Sequence, residues 1–68
     1  MKIKKSGGRT MKFSGRAITE KERNRLLGFA GVSNANECYI GVMKMKDQRY
    51  YSVARFFNND KFLFYVTL

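Results

Sequence analysis

From Glu37 to the last residue, almost half of the chain, three runs of apolar, β-branched and aromatic residues are separated by two polar clusters, Lys46-Asp47-Gln48 and Asn58-Asn59-Asp60. Runs of this composition bounded by turn formers read as strands, and three strands joined by two tight turns read as an antiparallel meander. Such a sheet is apolar on at least one face, and a chain of 68 residues has to bury that face with whatever precedes it.

The preceding segment offers one helix. Thr19-Glu20-Lys21-Glu22 is a capping-box pattern, in which the Thr19 hydroxyl accepts from the Glu22 N–H and the Glu22 carboxylate accepts from the Thr19 N–H. Acidic residues in the first turn followed by Arg23 and Arg25 suit the helix dipole. The pattern predicts a helix over residues 20–30, stopped by Gly31, with Leu26, Leu27 and Ala30 as its apolar stripe and Phe29 beside it. Gly28 weakens it by about 1 kcal/mol relative to alanine, so packing has to hold it. Residues 32–36 read as a loop. The fold class predicted is α+β: a basic N-terminal arm over residues 1–12, then a single domain over residues 13–68 with one helix packed on a three-stranded antiparallel meander. A short strand over residues 10–14 also fits, with Met11 and Phe13 on one side.

Two-residue loops at Asp47-Gln48 and Asn59-Asp60 predict a register in which Ile40 faces Arg55, Val42 faces Val53, Val53 faces Val66 and Phe57 faces Phe62. One face then collects Cys38, Ile40, Val42, Tyr51, Val53, Phe57, Phe62, Phe64, Val66 and Leu68, with Lys44 and Arg55 as its only charges. This is the expected core. The other face collects Tyr39, Gly41, Met43, Met45, Tyr50, Ser52, Ala54, Phe56, Leu63, Tyr65 and Thr67, and carries no charge. Because a slip of one residue exchanges faces, the clean partition favours this register. Arg55 is expected to lay its stem in the core and send its head to the sheet edge or to Glu37. Cys38 is expected to be an ordinary core residue.

Charge is the loudest functional signal. Fourteen Lys and Arg against five Asp and Glu give +9, and six of those charges fall in the first sixteen residues, which contain no acid: Lys2, Lys4, Lys5, Arg9, Lys12 and Arg16. A basic arm on a nearly balanced body is a common layout for contacting phosphates. Catalysis is disfavoured by inventory. There is no histidine, so no Ser-His or Cys-His nucleophile can be assembled, and one cysteine supports neither a disulfide nor a zinc framework. Glu20 and Glu22 serve the helix, Asp47 and Asp60 fall in turns, and the glycines form no phosphate-binding loop. No cofactor, metal or small-molecule substrate is expected. The basic start is followed by no apolar stretch and does not read as a signal peptide. No run approaches the roughly 20 residues that span a bilayer. With the lone thiol, this predicts a cytoplasmic protein with no membrane association.

Nucleic acid, DNA or RNA, is therefore the expected partner. On single strands, Tyr39, Tyr50, Phe56 and Tyr65 would form a stacking platform, with Lys44, Lys46 and Arg49 at one end of the sheet and the arm tracking the backbone. On duplexes, Arg9 would enter a groove while Lys21, Arg23 and Arg25 contact phosphates. A second class of function stays open: a protein-binding module, such as a small inhibitor or accessory subunit. It would use the uncharged face or the C-terminal strand, whose hydrophobic edge favours strand addition or a homodimer unless the segment around Met11 and Phe13 caps it.

Overall fold

The computed structural model describes residues 11–68, in the order β1 (Lys12–Gly15), α1 (Glu20–Leu27), a single 3-10 turn (Val32–Asn34), β2 (Glu37–Lys44), β3 (Tyr50–Asn58) and β4 (Lys61–Thr67). The class is α+β, with one helix on one face of a four-stranded sheet ordered β1-β2-β3-β4. The added strand is β1, which pairs parallel to β2 with Phe13 opposite Cys38. Parallel neighbours need a long crossover, and residues 16–36, containing α1, supply it. β1 lies at the sheet edge away from β4 and does not cap the C-terminal strand. Met11 is buried in the core and Lys12 opens β1, so both belong to the folded body; the rest of the arm, residues 1–10, is outside the described residues.

The capping box forms as its sequence requires. Thr19 Oγ1 accepts from the Glu22 N–H at 3.1 Å, and Glu22 Oε1 accepts from the Thr19 N–H at 3.0 Å. The helix ends at Leu27, three residues before the position predicted. Gly28 and Phe29 donate to Arg25 and Leu26 over 3.2 and 3.1 Å, so the last turn tightens to 3-10 spacing at the weak helix former Gly28. Gly31 then takes a φ of 91° and reverses the chain.

The two hairpins differ from the predicted register for separate reasons. Between β2 and β3 the loop has three residues, Lys46-Asp47-Gln48, closed by Met45 N–H donating to the Arg49 carbonyl at 2.9 Å, with Gln48 left-handed at φ 69°. This is the turn-plus-bulge loop that ranks next after two-residue hairpins. The extra residue pairs Ile40 with Ala54 and Val42 with Ser52, and so turns all of β3 over relative to β2. Between β3 and β4 the two-residue turn Asn59-Asp60 is present, with φ 50° and 70°, and Phe57 faces Phe62 as predicted. A bulge beyond that pair leaves Leu63 unmatched and makes Val53 face Thr67 instead of Val66.

The core is wholly apolar: Met11, Leu26, Val32, Ala35, Cys38, Ile40, Ala54 and Phe56, with Phe13, Ile18, Phe64, Val66 and Leu68 packed against it. Phe56 and Phe64 stack at 4.8 Å between centroids, 12° apart. Cys38 is fully buried, and burial pushes its thiol up to about 11. Hence Tyr51, Val53 and Phe57 are not core residues on the helix side; Ala54 and Phe56 are.

Candidate nucleic-acid interface

Turning β3 over decides what the outer face carries. The registers lay Ser14, Tyr39, Arg55 and Tyr65 in one row across the four strands. One row toward the Asn59-Asp60 turn lie Lys12, Glu37, Phe57 and Phe62; on the other side lie Gly41, Val53 and Thr67, then Met43 and Tyr51. No helix or strand among the described residues covers this face. The uncharged aromatic face predicted from sequence is thus an aromatic face with an arginine at its centre.

Arg55 does not enter the core and does not pair with Glu37. The one ion pair among the described residues is Arg16 with Glu22, at 3.8 Å. The Arg55 Nε is buried with no hydrogen-bond partner, while its guanidinium lies over Gly41, with Nη2 3.9 Å from where a Cβ on that glycine would stand. Around it the rings brace one another. Tyr39 meets Phe57 edge-on at 5.2 Å, and Phe57 meets Phe62 at 5.6 Å. Tyr65, paired with Arg55 on the last strand, sends its hydroxyl to within 3.9 Å of Met45 Sδ on the β2 side, so its ring crosses β3. Val53 is completely buried although no other helix or strand among the described residues overlies it. Exposure is nonetheless kept at Phe62, Tyr65 and Tyr51, 50%, 43% and 38%.

Two of the phenols hold their protons firmly. The Glu37 carboxylate beside Tyr39, which accepts its hydroxyl at 3.4 Å, raises the Tyr39 pKa above the ordinary value. The hydrogen bond from Tyr51 to Asp47, 2.6 Å long, raises that of Tyr51 and lowers that of Asp47. Asp47 also accepts from the Arg49 N–H at 2.9 Å, so this carboxylate is committed to its turn. Both rings are therefore neutral surfaces at physiological pH.

The predicted site residues divide as follows. Tyr39 and Tyr65 are on the outer face, as expected. Phe56 is not: it is 0% exposed in the core, and a base has no access to its ring. Tyr50 is exposed but projects on the helix side with Lys44, its register partner, at the far end of the sheet. Lys46 and Arg49 flank Asp47 in the adjoining turn, so Lys44, Lys46 and Arg49 do share one end of the sheet. Lys12 is exposed opposite Glu37, and Arg16 leans on Glu22. Lys2, Lys4, Lys5 and Arg9 are outside the described residues. On the helix, Arg23 sits over the Phe13 ring at 5.8 Å and Arg25 over Phe29 at 5.6 Å, so packing already engages two of the three helix cations proposed for duplex phosphates. Sequence reasoning missed Arg55, Tyr51, Phe57 and Phe62. The available signal was Arg55 itself, since a lone guanidinium in a strand whose two faces are otherwise equally apolar belongs on the open one.

Among the described residues no three His, Cys, Asp or Glu side chains cluster as a metal site would require, and no helix is long and apolar enough to cross a membrane. Comparison with family models, with curated proteins and with solved structures finds no match.

Proposed function

We propose that this protein binds single-stranded nucleic acid on the outer face of its sheet, and that it is a binding protein, not an enzyme, working in the cytoplasm. The observation that carries the reading is the row Tyr39–Arg55–Tyr65: a guanidinium without an acidic partner, lying between two aromatic residues on a face that no described element covers. Bases stacked on aromatic side chains are worth about 1–3 kcal/mol each, and every base has such a face. Arg55 adds either a phosphate contact or a plane for one base to stack on. Lys44, Lys46 and Arg49 at the turn end, Lys12 near β1, and Lys2, Lys4, Lys5 and Arg9 of the arm supply charge for the rest of the strand.

Against catalysis stand the missing histidine, a thiol held protonated by burial, and carboxylates already engaged: Glu22 in the cap, Asp47 in its turn, Glu37 with Tyr39. A duplex is the weaker ligand, since stacking on this face requires unpaired bases.

The test is fluorescence anisotropy with a labelled single-stranded oligonucleotide at two salt concentrations. Binding should be micromolar or tighter at about 150 mM salt, and log affinity should fall by about 0.7 per phosphate neutralised for each tenfold rise in salt. Arg55→Ala should weaken binding about tenfold, while Tyr50→Ala on the helix side should change it by less than about twofold. Affinity no better than the non-specific level of about 10⁻⁴ M, or an Arg55→Ala variant equal to wild type, contradicts the reading.

A further inference from the structure

The other unfinished surface is the free edge of β4. Leu68 N–H donates to the Ser52 carbonyl at 2.9 Å, which makes Ser52 and Leu68 a hydrogen-bonded pair. Antiparallel pairs alternate, so Val66 also bonds to β3, while Tyr65 and Thr67 point their N–H and C=O groups away from the sheet. The geometry of Arg25 agrees: its Nη2 reaches the Thr67 carbonyl from outside, at 3.3 Å. Among the described side chains, that single long contact is the only hydrogen bond to this edge. Beside it runs an open groove of about 650 Å³, lined by Arg25, Phe29, Phe64 and Val66 among others, with Phe29 39% and Tyr65 43% exposed.

We propose that β4 pairs antiparallel with β4 of a second copy about a twofold axis through Val66, joining two sheets into one of eight strands. In this register Tyr65 of each copy exchanges both backbone bonds with Thr67 of the other, which satisfies the four outward groups on each side. The side chains match as well as the backbones. On the helix side Val66 faces Val66, and each copy's apolar strand closes the other's groove against Phe29. On the outer side Tyr65 faces Thr67, an aromatic–β-branched pair of the kind that stabilises sheets.

A second copy fits this edge better than an unrelated charged strand, because none of the side chains of residues 62–68 is charged. Arg25 is the cation that an observed contact brings to this edge, so like-charge repulsion between two +9 chains enters there through an exposed guanidinium that salt screens. β1, with Lys12 and Arg16 at its ends, is three strands away, about 14 Å at the usual strand spacing, beyond the screening length of about 8 Å in physiological salt. A chain with so small a core also gains most from burying more apolar surface. The pairing stands independently of the nucleic-acid reading. Its consequence, two platforms joined into one continuous outer face with two copies of Arg55, rests on that reading.

Sedimentation velocity of the full chain without nucleic acid tests the pairing. The expected result is a monomer–dimer equilibrium with a dissociation constant tighter than about 100 µM, persisting at high salt. Thr67→Pro removes a donor that has no partner within the monomer, so the fold is retained and dimer affinity should drop at least about tenfold. Hydrogen exchange of the wild type reads the same edge without a mutation: the Tyr65 and Thr67 amides should gain protection as concentration rises, and the Val66 amide should not. A monomer up to about 1 mM, a Thr67→Pro variant that associates like wild type, or exchange at Tyr65 and Thr67 independent of concentration overturns the proposal. Since no nucleic acid is present, none of these outcomes bears on the platform itself.

Discussion

Two glycines position the site in opposite ways. Gly15 ends β1 at φ 93°, and a Cβ there would run into the Ile40 carbonyl oxygen, which accepts the next N–H, that of Arg16, at 3.0 Å. Neither backbone group can withdraw without breaking the β1–β2 ladder. Gly41 has an ordinary φ, and its missing side chain serves only to give the Arg55 guanidinium a floor. Gly15→Ala should therefore cost about 1–3 kcal/mol, whereas Gly41→Ala should stabilise by about 0.5–1 kcal/mol by relieving strand entropy. Urea unfolding of the two variants measures both. Equal effects at the two positions would contradict this assignment. Arg55 shows how far single residues were legible. Its charge marks it for the surface, yet a lysine or arginine stem also packs among apolar side chains, and the assumed register chose the second option.

At the scale of elements, the helix start was readable to the residue because a capping box is a local device that needs only four consecutive positions. The same locality makes it testable. The Thr19 backbone hydrogen bond holds the Glu22 carboxylate below its ordinary value of 4.5, helped by Arg16. The folded state then binds fewer protons than the unfolded one, so this contribution is present above that value and is lost as pH falls through the lowered one. Thr19→Ala should cost about 1 kcal/mol at neutral pH. It keeps the Thr19 N–H that the Glu22 carboxylate accepts from, so the pH test falls to Glu22→Ala, whose penalty should be smaller at about pH 3, below the ordinary value, than at neutral pH. Chemical denaturation at the two pH values gives the comparison; a penalty that does not change with pH would remove Glu22 from the account. The register of β3 was not readable in this way. Tyr50, Ser52, Ala54 and Phe56 alternate with Tyr51, Val53, Arg55 and Phe57, and the two sets are nearly equal in apolar content. With the pattern undecided, loop length fixes the register, and Gln48 at a left-handed position gives no composition signal of the kind glycine or asparagine would give. Asn59-Asp60 did give it, and that turn was predicted correctly.

Across the whole molecule, the fold class followed from the order of patterned segments, and the layer arrangement followed from the need to cover one face of the meander. The outer face did not, because one residue of loop moved Phe56 into the core and brought Arg55 out. The resulting layout is an apolar core on the helix side and an aromatic face with a central guanidinium on the other, with basic residues at the turn end and, in the sequence, over the first sixteen positions. Binding by charge alone would use the basic residues wherever they lie; binding by stacking must use the outer rings. The measurement that separates these most directly is NMR titration of the labelled chain with a short single-stranded oligonucleotide, following side-chain signals. The account predicts that the Arg55 Nε–H and the rings of Tyr39, Tyr51 and Tyr65 shift together while those of Tyr50, Phe56 and Phe64 stay in place. Shifts confined to the arm, or to Lys21, Arg23 and Arg25 on the helix, with the outer rings unmoved, would contradict it.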